Sequence, residues 1–269
     1  DGLTAINASG PAPAAADPAA FSDGIPAIGL RSAAVPGAVS AWETLANAYC
    51  RFDLPQLLQP AIDYAAGGFP ISHALSRAIT DSHAKLSASA TGLELFFPAG
   101  HPLQPGAMLV QEDLAGTLRA IAAGGADAFY RGEYAAKLDA WSLANDGWLT
   151  AADLAGYKCE TLQPIYTDYR GYRIAGQPPV SQGYVVLGQL NIAAGYDLAE
   201  SGFGAPDTVH AMIEAKKLAF ADRHGNLGDP EHVDFDIERL LSAEFAEQRR
   251  AQIDPDRATH GPPPGDVNA

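Results

Sequence analysis

Cysteine is almost missing from this chain: Cys50 and Cys159 are the two present. Two are too few for a disulfide scaffold and sit too far apart for a zinc knuckle or redox pair. Core packing is the expected role of each, with one long-range disulfide as the alternative, and neither indicates a compartment. Long apolar runs are missing as well. No uninterrupted stretch approaches the ~20 residues needed to cross a bilayer, and no basic segment leads into an apolar one at the start. The first residues, Asp1-Gly-Leu-Thr-Ala-Ile6, read instead as a tight turn leading into a strand already under way. Basic residues are scarce, 17 against 32 acidic, and the resulting net charge of −15 repels phosphate backbones and anionic lipid surfaces. Nucleic acid and membrane surfaces are therefore not expected partners, and solubility accounts for the acidity.

What is present argues for a folded protein. Apolar residues make up 47% of the 269, and ten Phe, ten Tyr and three Trp supply large areas to bury. Pro11-Ala-Pro-Ala-Ala-Ala-Asp-Pro18 has no apolar period and reads as an extended surface segment. A helix should follow Pro36-Gly37, with Val39, Trp42, Leu45, Ala46 and Tyr49 on its buried face. Leu57, Leu58, Ile62 and Ala65 continue the helical period to Gly67-Gly68, and Ser72 is the expected N-cap of a helix burying Leu75, Ile79 and Leu86. Leu114, Leu118, Ile121 and Ala122 form a further face that should stop at Gly124-Gly125, and Thr150-Ala-Ala-Asp153 has the form of a capping box. The stretch from Tyr169 to Ala175 suits a strand interrupted by Gly171 and ended by Pro178-Pro179. From Asp207 to His224 a long helix should bury Val209, Met212, Ile213, Ala219 and Phe220 and leave Glu214, Lys216, Lys217 and Arg223 in polar surroundings. Residues 1–253 are expected to form the folded portion, and residues 254–269, rich in Pro and Gly, a flexible tail too polar to order itself.

The order of several motifs points to a family. Asp168-Tyr-Arg-Gly171, Gln177-Pro-Pro-Val-Ser-Gln-Gly183, Leu190-Asn191-Ile192, Glu214-Ala-Lys-Lys217 through Ala221-Asp222-Arg223, and Leu227-Gly-Asp-Pro230 follow one another in this sequence. Upstream lie Ala34-Val-Pro-Gly37, Leu58-Gln-Pro-Ala-Ile62, Gln111-Glu-Asp-Leu-Ala115, Phe129-Tyr-Arg-Gly-Glu133 and Leu149-Thr-Ala-Ala-Asp-Leu154. In order and spacing the series resembles the large subunit of the γ-glutamyltransferase family, self-cleaving N-terminal-nucleophile hydrolases, from about Thr4 to the last residue. The resemblance implies an α+β fold, part of a four-layer α/β/β/α sandwich that is incomplete without the small subunit. It also implies an enzyme whose catalytic residue is absent here: a threonine expected immediately after Ala269, with Ala269 as the edge of the autocleavage site. Simple truncation is the alternative explanation of that end. The implied partners are the small subunit cut from the same precursor and a small γ-glutamyl or other acyl amide. No cofactor is implied.

An N-terminal threonine supplies both parts of a nucleophile, because its own α-amine, with an ordinary pKa of roughly 7.7–8.0, acts as the base beside its hydroxyl. Thr259-His260 does not offer the same chemistry, since Gly-Pro-Pro-Pro follows and cannot form the paired strand that would hold it. Substrate recognition carries a departure. The family places an arginine for the substrate α-carboxylate in the stretch aligned with Ile6-Asn7-Ala8-Ser9-Gly10, and Ser9 stands at its position. Serine makes no bidentate, charge-assisted contact with a carboxylate. Asn7 and Ser9 are candidate substrate-binding residues, equally open to the reading that they cap the strand end. Loss of the arginine favours an acylase of other side-chain amides, such as glutaryl or adipyl β-lactams, and a non-catalytic binding subunit on the same scaffold is a further alternative. Ser181 and Gln182 read as architecture, and Arg223 as an organiser of the loop at Asp229. His232, Asp234 and Asp236 alternate without a second histidine, and no metal site is expected.

Overall fold

A computed structural model describes residues 2–234 and 236–267, so Ala269 and the cleavage edge expected there lie outside the described residues. Strand β1 (Ala5–Asn7) opens the chain and belongs to a unit completed by the residues from Glu160 onward. Between these two parts, residues 8–159 form a separate, mainly helical unit.

In the helical unit, α1 (Ala38–Tyr49) and α2 (Leu54–Gly67) begin after Gly37 and Asp53, and Asp53 with Gln56 forms a capping box. Gly68, at φ +77°, ends α2 in a conformation that glycine adopts without penalty. Strands β2 (Phe69–Pro70) and β3 (Met108–Leu109) pair antiparallel around α3 (His73–Asp81), α4 (His83–Leu86) and α5 (Ala90–Phe96). Ser72 caps α3 as expected, its hydroxyl accepting from the Leu75 amide at 3.1 Å. Helix α6 (Glu112–Tyr130) does not stop at Gly124-Gly125. It kinks at Gly125 (φ +65°) and restarts, because the Glu43 carboxylate accepts from the Ala126 amide at 2.9 Å and caps the second half. Helices α7 (Glu133–Ala144) and α8 (Ala151–Gly156) complete the unit, α8 opening on the expected Thr150–Asp153 capping box.

Leu58, Ile62, Ala65, Leu118, Ile121, Phe129 and Leu154 form the main core of this unit. On α1, however, only Val39 and Ala46 of the expected face are buried, while Trp42 and Tyr49 remain 40% and 60% exposed. The buried side of α1 is set by small residues: Ser40 and Ala41 let the helix approach Tyr130, whose hydroxyl accepts from the Ser40 amide and donates to the Pro36 carbonyl at 2.8 Å. Cys159 is buried and Cys50 exposed, both as free thiols.

In the other unit β1 pairs antiparallel with β4 (Glu160–Leu162), Ala5 facing Leu162 and Asn7 facing Glu160. The expected interrupted strand is a hairpin: β5 (Ile165–Tyr169) turns through Arg170 and Gly171 into β6 (Tyr172–Gly176). Both turn residues have positive φ, 50° and 84°, the tight two-residue geometry that matches strand twist. Helix α9 (Gly183–Ala193) packs on this hairpin and on α11 (Pro206–Asn226), which follows the short α10 (Leu198–Ser201); α12 (Ile237–Leu240) and α13 (Ala243–Arg250) close the unit. Among the described residues the strands form three separate two-stranded pairs, so the chain is mostly helical and contains no layered sheet of its own. No helix among them is long and apolar enough to cross a membrane.

One expectation for this unit is corrected in part. On α11, Ala219 is buried and Phe220 half-buried as expected, but Val209, Met212 and Ile213 are exposed, and Ala211, Glu214, Ala215, Leu218 and Asp222 are buried in their place. Small residues on that stripe admit close neighbours, and the two acids are tolerated because each meets its partners there. Most described residues of the Pro/Gly-rich segment are exposed, and its apolar anchor is Val267. This residue is only 2% exposed and joins Tyr184, Leu240 and Phe245 in a core cluster.

Candidate functional site

The residues expected to contact substrate fall on either side of the division between the units. Asn7, in the strand unit, is half-buried at the end of β1 and donates from Nδ2 to Glu160 Oε2 at 2.7 Å, across the β1–β4 pair. Part of its hydrogen-bonding capacity therefore ties the strand end to its neighbour. Gln177 performs a similar task in the same unit, its Nε2 donating to the Ile6 carbonyl at 2.6 Å.

Ser9, in the helical unit, is exposed on a segment that runs tightly against Val35–Gly37. A Cβ on Gly10 would meet the Val35 carbonyl oxygen at 1.6 Å, and one on Gly37 would meet the Ala8 carbonyl oxygen at 2.1 Å. Glycine at both places lets the two backbones touch, and the Val35 amide donates to the Pro11 carbonyl at 3.0 Å. The Ala34-Val-Pro-Gly37 motif thus fixes where residues 8–10 lie and how the Ser9 side chain is presented.

The Gln177–Gly183 motif brings backbone close in the same manner, since a Cβ on Gly183 would sit 2.3 Å from the Gln177 carbonyl oxygen. Asn191, in the last turn of α9, accepts from the Thr167 hydroxyl and donates to the Leu241 carbonyl at 2.8 Å, joining β5 to the end of α12. These motifs build the frame of the strand unit. Arg223 does not organise Asp229. Its Nη1 lies 3.3 Å from His224 Nε2, and the carboxylate beside it, Asp222, pairs with Arg249 instead. Among the described residues there is no group of three His, Cys, Asp or Glu side chains placed to hold a metal.

The feature that sequence reasoning missed is a row of polar side chains on α11 and α13 that grip the segment from Asp254 to Val267. His210 Nε2 lies 2.8 Å from the Asp254 carbonyl oxygen. Glu214, only 1% exposed, accepts from Lys217 Nζ at 2.6 Å and from the Thr259 amide at 3.2 Å, while Lys217 donates to the Thr259 carbonyl at 2.8 Å. About two turns beyond Glu214, Asp222 accepts from the Gly265 amide at 2.7 Å and from Arg249 Nε at 3.2 Å. Arg249 Nη2 donates to the Pro263 carbonyl at 2.9 Å, and Asn226 Nδ2 to the Gly265 carbonyl at 3.4 Å. Burial pushes the Glu214 carboxyl up, but the hydrogen bonds from Lys217 and Thr259 outweigh it and leave the group below its ordinary range. Burial dominates at Asp222 and raises it, with the Gly265 amide and the Arg249 guanidinium opposing. The sequence signal was present as the i, i+3, i+4 recurrence of 211, 214, 215, 218, 219 and 222, which joins the acids to the small residues rather than to Met212 and Ile213.

Comparison with known proteins places this frame. The sequence profile of the family described as Gamma-glutamyltranspeptidase matches residues 1–268. Over 233 residues the chain is 43% identical to the acylase ACY 1 proenzyme of Pseudomonas sp. (strain SE83), covering 86% of this chain and 42% of that protein. It is 40% identical to the glutathione hydrolase proenzyme of Pseudomonas sp. (strain A14), covering 86% and 40%. Among solved structures it superposes on the gamma-glutamyltranspeptidase of Helicobacter pylori with a TM-score of 0.88 at 29% identity, over 96% of this chain and 80% of that one. The cephalosporin acylase of Bacillus halodurans gives 0.86 at 35% identity, over 93% and 48%. The chain spans about two fifths of the length of the curated relatives it matches. With the same order of motifs, the same fold and a profile match along nearly its whole length, the chain belongs to the gamma-glutamyltranspeptidase family.

Proposed function

We propose that this chain is the large-subunit portion of a γ-glutamyltransferase-like amide hydrolase or acyltransferase whose nucleophile is a threonine immediately after Ala269. The observation that carries the reading is the family match over residues 1–268, in a chain that corresponds to two fifths of relatives named as proenzymes. The new N-terminal threonine attacks the amide carbonyl through its hydroxyl oxygen while its α-amine takes the hydroxyl proton. An ester forms, the C–N bond breaks, and the leaving amine departs with that proton. Water or another amine then takes the acyl group and restores the threonine.

The partner is the small subunit from the same precursor, and the four-layer sandwich exists only when both are present. Two features support this: the strands stand in isolated pairs with open edges, and Val209, Met212 and Ile213 lie uncovered on α11. As to the acyl group, Ser9 favours donors without an α-carboxylate to be gripped, in line with an acylase among the relatives. The missing charge-assisted contact is worth about 1.5–3 kcal/mol, or roughly ten- to a hundredfold in kcat/KM. Glutaryl anilides should therefore turn over faster than γ-glutamyl anilides, and Ser9→Arg should shift the ratio towards γ-glutamyl. A native enzyme that strongly prefers the glutamyl donor, with no gain from Ser9→Arg, would remove Ser9 from substrate recognition.

A further inference from the structure

We propose that Glu214, Lys217, Asp222, Asn226 and Arg249 are positioning residues for precursor cleavage: they hold the strand of chain that leads to the scissile bond. The inference rests on the cleavage proposed above and adds a mechanism for it. Contacts along α11 follow in order, His210 with Asp254, Glu214 and Lys217 with Thr259, Gly225 with Pro264, and Asp222 and Asn226 with Gly265. The segment therefore runs beside the helix in the same direction, over about 24 Å at 1.5 Å per residue.

Most of the hydrogen bonds go to the backbone of the segment, and Glu214 also accepts from the Thr259 hydroxyl. That matches its composition. Pro262, Pro263 and Pro264 have no amide to offer, so their stretch cannot enter a sheet ladder, and each of its free carbonyls must find a donor elsewhere. Arg249 provides one for Pro263, and Lys217 and Asn226 provide others on either side. Glycines 225 and 265 set the separation: a Cβ on Gly225 would press on Pro264 at 2.4 Å, and one on Gly265 on the Phe245 ring at 2.6 Å. Simple packing would need neither buried carboxylates nor a guanidinium only 2% exposed. Hydrogen bonds from fixed side chains to backbone groups define position along the chain and direction at once. Held by these bonds as far as Gly265 and by apolar packing at Val267, the chain enters the cleavage region from a fixed point, and attack on the bond that follows Ala269 begins from a narrower set of conformations.

The test uses the full-length precursor and follows the disappearance of uncut chain by intact mass. Lys217→Met leaves the buried Glu214 carboxylate without its ionic partner and should lower the thermal midpoint, so its cleavage is followed well below that midpoint, where the precursor is folded. There the change should slow cleavage by roughly tenfold, the factor expected when one charge-assisted hydrogen bond is lost, and Lys217→Arg should restore the rate. Glu214→Gln should be slower than wild type as well. Once cleaved, all these variants should show kcat and KM within about twofold of wild type, as expected of groups acting only before the cut. Leu58→Ala, a core change in the helical unit, should lower the thermal midpoint without slowing cleavage in step with it. Wild-type cleavage rates in both Lys217→Met and Glu214→Gln would overturn the inference, as would equal slowing by Leu58→Ala. A wild-type precursor that never cuts would instead overturn the cleavage reading itself.

Discussion

Asp222 and Arg249 form a buried pair whose removal should show strong non-additivity. Both side chains are at least 96% buried; two contacts join them, at 3.2 and 3.0 Å, and each also holds a backbone group of the terminal segment. Arg249→Met leaves a buried carboxylate with only the Gly265 amide, and Asp222→Leu leaves a buried guanidinium with carbonyls alone. Either change should cost about 3–5 kcal/mol, because one charge remains uncompensated away from water. The double variant removes both charges. Its remaining cost is that of the Gly265 amide and the Pro263 carbonyl losing partners, about 1–3 kcal/mol each at most. The double variant should therefore be several kcal/mol more stable than the sum of the single effects requires. Tryptophan fluorescence would not see this, since Trp42, Trp141 and Trp148 all lie in the helical unit. Hydrogen exchange of the α11 amides in the full-length protein is the suitable assay. Single effects that add within ~0.5 kcal/mol would refute the reasoning, because independent sites behave in that way.

Tyr184 is buried against the same helix, and burial pushes its phenol up to about 12. Its neutral form is favoured by the fold, so this stabilisation is complete below pH 10 and is lost as pH rises from 10 towards 12, by at most about 3 kcal/mol. Exchange of the α9 amides should accelerate across that window, and in Tyr184→Phe the acceleration should be much weaker. In the helical unit, Gly125→Ala should cost about 1–3 kcal/mol, because φ is +65° and the new methyl would sit 2.3 Å from Glu43 Oε1. Unfolding followed by tryptophan fluorescence reports on that unit directly, and a change below ~0.5 kcal/mol would show that the kink does not need glycine.

Local punctuation was readable from the sequence. Ser72, Gly68 and the Thr150–Asp153 box act through groups a few residues away, so short-range patterns are enough to find them. Which side of a helix faces inward was less readable. Trp42, Tyr49, Met212 and Ile213 are large and apolar, and periodicity alone assigns them to a core, yet small residues set the close packing of α1 and α11 and leave them outside. Glu214 was assigned to polar surroundings and the pairing of Asp222 went unread, because Thr259 lies 45 positions beyond the one and Arg249 and Gly265 lie 27 and 43 beyond the other. The hairpin at Arg170-Gly171 was hidden by an arginine at positive φ, a conformation that its side chain does not announce. At the candidate site, the bond from Asn7 to Glu160 was not legible, because it depends on a strand 153 residues away. The contacts of the terminal segment were not readable from its composition, because it takes its hydrogen bonds from side chains of α11 and α13.

The most direct measurement is intact mass, with N-terminal sequencing, of the freshly folded full-length protein. Two chains whose junction falls immediately after Ala269, the second beginning with threonine, are the expected result. A single uncut species that persists through long incubation, or a cut elsewhere that leaves no nucleophile at the new terminus, would contradict the account.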